Sequence, residues 1–251
     1  MARVKLAGVG VALLAGAFLL AQHDHARKKE PASGGNASVF NQTTQAMASR
    51  HVDMGPHMKM SRLRKAQPGD AERADEVART ARTALEKYGD YQAALADDYH
   101  IFLAKFPQKM YHFTNYRYAL EAAFVFDPSK PTSLLYEKTG DGYKLIGAMY
   151  TAPKDMSEAE LDERVPLSVA QWHAHVNLCV PPRERRQEAR GQNPRFGLQG
   201  SIATREDCEK EGGFFVAQIF GWMVHLYPFE ETREKVWSLD PQKPQAHSHS
   251  H

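Results

Sequence analysis

The chain has 251 residues, 42% of them apolar and 25% charged, with a net charge of +2. That composition is ordinary for a globular protein. With no dense Lys/Arg stripe and no reader motif, it excludes a nucleic-acid binder. The one basic run, Arg183, Arg185, Arg186 and Arg190, is interrupted by Glu184 and Glu188 and reads as a solvated loop.

The first element is membrane-directed. Residues 1–5 carry Arg3 and Lys5, and Leu6 to Ala21 follow without a charge. This is a secretory signal in form. A spanning helix needs about 20 apolar residues, so residues 1–21 are marginal as an anchor. Ala21 suits cleavage and the bulky Leu19 does not, which leaves removal and retention both open. The expected location is outside the cytosol. That means periplasmic, held at the inner membrane through residues 1–21 if they are retained, or secreted if they are removed. Residues 22–67 show no sustained apolar period and read as a flexible tether containing Met and His.

The pattern changes at Pro68-Gly69-Asp70. Asp70 suits an N-cap, and Ala74, Val77, Ala81, Ala84, Leu85 and Tyr88 share one helical face that Gly89 ends. Asp90 suits the cap of a second, short helix through Leu95. Tyr118 to Phe126 reads as an apolar, aromatic strand, although Ala119, Leu120, Glu121 and Ala122 allow a helix equally. Ser133 to Lys138 and Tyr143 to Thr151 flank Thr139-Gly140-Asp141-Gly142, a hairpin signal. Ser157 with Glu160 suits a capping box. Strands are expected at Gln171 to Val180 and Ile219 to Tyr227, with a short helix near Thr204 to Lys210 between them. Helices first and strands afterwards predict an α+β domain over 68–238, its N-terminal helices packed on a mainly antiparallel sheet. A polar, His-containing tail follows at 239–251.

Chemistry concentrates in Gln171 to Cys179. Alternate side chains of a strand share a face. Trp172, Ala174, Val176 and Leu178 therefore form an apolar side, and His173, His175, Asn177 and Cys179 a ligand-capable one. Imidazoles two residues apart on a strand sit about 7 Å apart at Cα, close enough for both to reach one ion. A solvated face carrying two surface histidines fits the same pattern. The second strand repeats the alternation, with Trp222, Val224 and Leu226 inward and Met223, His225 and Tyr227 opposite. Side by side, the two strands would assemble His173, His175 and His225, with Met223 and Cys179 near. Imidazole suits zinc, copper, iron and nickel, and a thioether favours copper.

In the tether, His51, Met54, His57, Met58 and Met60 add an accessory set of soft and borderline ligands, with Met47 upstream. His23, His25 and the terminal His247, His249 and His251 are flexible chelating tracts. Cys179 and Cys208 are the two cysteines. Outside the cytosol they pair by default, with free thiols or a thiolate ligand as the other options. His100 and His112 have aromatic neighbours; with Tyr116 and Trp172 they would line a pocket for an apolar ligand. Templates for a serine nucleophile elbow, a zinc protease, a P-loop and a dinucleotide fold are missing.

The His173-Ala-His175 step resembles one piece of the cupin metal motif. The Glu expected downstream is replaced by the region of Cys179, Pro181 and Pro182, and the flanking glycines are missing. Pro131 to Glu137, Gly142 to Tyr150 and Trp172-His173 together resemble a group of uncharacterised bacterial exported proteins with no settled activity. The resemblance implies an exported domain over 68–235 and nothing about chemistry.

The reading these residues support is an exported, cell-envelope protein that binds a transition metal, copper first and zinc or another divalent ion next. Two other classes stay open: a module for a small apolar ligand, and a metal-dependent enzyme using the same histidines.

Overall fold

The computed structural model describes residues 55–105, 108 and 110–239. The strands are β1 (Met58–Met60), β2 (His100–Ile101), β3 (Tyr111–Thr114), β4 (Ser133–Thr139), β5 (Gly142–Ala152), β6 (His173–Val180), β7 (Phe214–Gln218) and β8 (Trp222–Leu226). The helices are α1 (Asp70–Leu85), α2 (Tyr91–Ala96), α3 (Tyr116–Glu121), α4 (Glu158–Arg164), α5 (Arg205–Lys210) and α6 (Arg233–Val236). The fold is α+β. Every strand pair is antiparallel, in the order β1-β6-β8-β5-β4-β3-β2 with β7 beside β6.

Local signals explain most of these elements. Thr139 pairs with Gly142 across a two-residue turn in which Gly140 has φ 45°, the left-handed geometry such hairpins need. Ser157 and Glu160 close a full capping box at the start of α4. Asp90, Asn115 and Thr204 each accept a backbone N–H at a helix start. Asp70 is not itself the cap of α1; Gly69 is. The Asp70 carboxylate instead accepts from the two terminal guanidinium nitrogens of Arg64 at 2.6 and 2.8 Å, and Arg64 also donates to Asp162.

One face of the sheet is the main core. Ala74, Val77, Ala81 and Leu85 of α1 pack with Tyr136, Tyr150, Trp172, Ala174, Trp222, Val224 and Leu226. Gly221 immediately precedes β8, beside the Ala152 end of β5. A Cβ there would collide with the Ala152 carbonyl oxygen, so a residue without a side chain is required at this close approach.

Three expectations need correction. Residues 55–67 belong to the fold and not to a flexible tether. Met58–Met60 pairs with β6, and Ser61 exchanges bonds with the Trp172 backbone at 2.8 and 3.0 Å. Three residues are too short to carry a readable period, and long-range backbone bonds decide their state. Tyr118 to Phe126 is not a strand: Asn115 caps α3 there, and the Ala-Leu-Glu run follows its helix propensity. The stretch 171–180 begins its pairing at His173, and the expected strand 219–227 is β8 alone, preceded by the unforeseen β7. The signal segment 1–21, the tether up to Met54 with His51, and the tail from 240 lie outside the described residues. No described helix is long and apolar enough to cross a membrane.

Candidate metal centre

The face opposite α1 carries the imidazoles. His173 and His175 project from β6, with Trp172 and Ala174 in the core behind them. β8 runs antiparallel beside β6, with Met223 in register with His173. His225 is two residues further along β8, in register with Met149 of β5. His112 arrives from β3, where Tyr111 and Phe113 face the main core and the residue between them must face the other way. Ring centres lie 5.0 Å apart for His173 and His225, 5.7 Å for His173 and His175, and 6.2 Å for His112 and His225.

All four rings are buried, none more than 4% exposed. In each one the Nδ1 atom is buried and has no hydrogen-bond partner. Burial pushes His112 and His175 down to about 4 and His225 to about 3, and holds His173 well below its usual range. The rings themselves add to the shift: His175 acts on His112, and His112 and His175 act on His225. At neutral pH all four are uncharged. A neutral imidazole keeps the lone pair that a metal ion takes.

Two imidazoles sharing one ion at about 2.0–2.1 Å have ring centres about 5 Å apart. His173 and His225 have that spacing, and His175 and His112 stand slightly outside it. Among the described residues no group of three or more His, Cys, Asp or Glu is arranged to hold an ion as it stands. The four rings are neighbours, not a closed coordination sphere. No family model, no curated protein and no solved structure matches the chain.

Methionines frame the rings. Met110, Met149, Met223, Leu135 and Tyr227 form one buried cluster, and the Tyr227 hydroxyl donates to the Met110 sulfur at 3.7 Å. On the far side of β6, Met58 pairs with His175 and Met60 with His173. His57 anchors this strand, its ring nitrogens 3.0 and 2.7 Å from the carbonyl oxygens of Asn177 and Gly200. Residues in register share a face, so β1 brings two thioethers to the side that carries His173 and His175.

Cys179 does not join them. It is bonded to Cys208, which uses its sulfur and identifies the expected disulfide. Asn177, with φ 57°, also inverts the alternation along β6, so Cys179 packs with Ala189, Phe196 and Ile202 instead. Such an inversion has no simple sequence signature, although Asn tolerates the left-handed region better than most residues.

The alternative pocket residues are dispersed. His100 is exposed and stacks on the exposed Tyr116 at 6.0 Å. Trp172 is buried on the core face, and His112 lies against His225. His112 is the ligand candidate that the sequence reading placed elsewhere. The usable signal was the alternation in Tyr111-His112-Phe113, the same pattern as in β6.

Proposed function

We propose that this chain is an exported transition-metal-binding protein that holds copper on the face formed by His173, His175 and His225, with His112 as a fourth imidazole. One observation carries the reading: four buried, uncharged rings on one patch of sheet, each with an unpartnered Nδ1. An unsatisfied polar atom in a core costs about 1–3 kcal/mol. Four of them so close together favour a common partner, and a d-block cation accepts several imidazole lone pairs at once. Small rotamer changes would bring the rings from neighbours to ligands. Met223 and Met149, in register with His173 and His225, favour copper over zinc because thioethers are soft donors. The basic, apolar N-terminus and the Cys179–Cys208 pair fit an oxidising compartment outside the cytosol. The burial of all four rings favours holding an ion over turning over a substrate, which needs an open coordination position.

The test is the metal content of the full chain, purified without an added tag from medium containing copper and zinc. Wild type is compared with the double variant His173→Ala/His175→Ala. The terminal His tracts are common to both, so the difference counts the folded site. Loss of about one equivalent of copper, with the circular dichroism spectrum kept, supports the reading. Equal copper in the two proteins overturns it, and zinc in the place of copper reassigns the ion.

A further inference from the structure

We propose that Met58 and Met60 form a fixed thioether step through which Cu(I) reaches the imidazole face; this rests on the metal reading above. The sequence alone makes these residues part of a flexible tether. The structure instead holds them on an edge strand, the last in the sheet order, opposite His175 and His173. The imidazoles are buried while Met58 and Met60 are only half-buried. They are therefore the soft donors in this row that solvent can reach. Met60 belongs to the row Met60–His173–Met223, and Met58 stands opposite His175.

A half-exposed thioether binds Cu(I) well and Zn(II) poorly. Two such donors on the edge strand, each beside a buried imidazole, would select the ion before it reaches ligands that discriminate less. Each step exchanges one neutral donor for another. Copper stays Cu(I) throughout, and no oxidant or reductant is needed.

The experiment uses the full chain, anaerobically, with Cu(I) supplied as its bis-bicinchoninate complex. The loss of that complex's absorbance follows the transfer, which releases both chelator molecules. Wild type is compared with Met58→Leu/Met60→Leu, which keeps side-chain volume and apolar character. The expected result is Cu(I) transfer slowed about tenfold or more, a barrier increase of roughly 1.4 kcal/mol, with the final copper stoichiometry and the rate of Zn(II) uptake unchanged. An unchanged Cu(I) rate in Met58→Leu/Met60→Leu, or equal slowing of Cu(I) and Zn(II), overturns the thioether step and leaves the imidazole site standing. A wild type that takes up neither ion overturns both.

Discussion

His173 and His225 face each other across the β6–β8 boundary, their ring centres 5.0 Å apart and their planes 78° to one another. Neither strand places a carboxylate between them, and protonation of either ring is opposed first by burial and then by the neighbouring histidines, offset in part for His225 by a backbone hydrogen bond with Leu239. In a core this arrangement is unfavourable without a partner. Under the proposed metal reading, His173 and His225 are the pair nearest to a shared ion, and His112 is its outermost contributor.

Replacing His112 by Phe is expected to weaken copper binding about tenfold or more, roughly 1.4 kcal/mol, while leaving one equivalent bound at saturation. Phe fills the buried volume next to His225, so the fold is retained. Alanine at His100 or at Tyr116, both exposed, is expected to leave affinity unchanged. Competition titration against a chromophoric chelator reads all three variants. A fall at His100 matching that at His112 would return the outer residues to the site.

The stability of the metal-free protein is expected to decline as pH falls. The folded values for His112 and His175 are about 4 and for His225 about 3, against about 6.5 in an unfolded chain. Below about 6.5 the unfolded chain takes up protons that the buried rings do not. The contribution of these rings is therefore complete above about 6.5 and is lost as pH falls towards 4 and then 3. Each ring adds a slope of up to about 1.4 kcal/mol per pH unit within that window. Denaturant unfolding of wild type and His175→Gln between about pH 4.5 and 6 should differ in slope by up to that amount. Parallel curves would mean that His175 is solvated or already paired.

Removing the disulfide should separate stability from binding. Cys179 and Cys208 are 29 residues apart, and a loop of that length corresponds to about 3–4 kcal/mol in the chain-entropy account. Cys179→Ala/Cys208→Ala is expected to lower the melting temperature by several degrees and to keep the copper stoichiometry. Loss of copper from a variant that is still folded would restore Cys179 as a ligand.

Local chemistry is legible in this sequence wherever a few adjacent residues decide the outcome. The hairpin at Thr139–Gly142, the Ser157/Glu160 capping box, the buried stripe of α1 and the alternation of His173, Ala174 and His175 follow from turn geometry, hydrogen-bond capping and the pleat. Tertiary structure decided what depends on distant partners. Met58–Met60 became a strand because β6 and the His57 contacts hold it there. Asn177 turned Cys179 away from the histidines by a single left-handed residue. His112 reached His225 because β4 and β5 carry β3 across to β8. A strand's period identifies which side chains share its face, but only the order of the strands determines which faces meet.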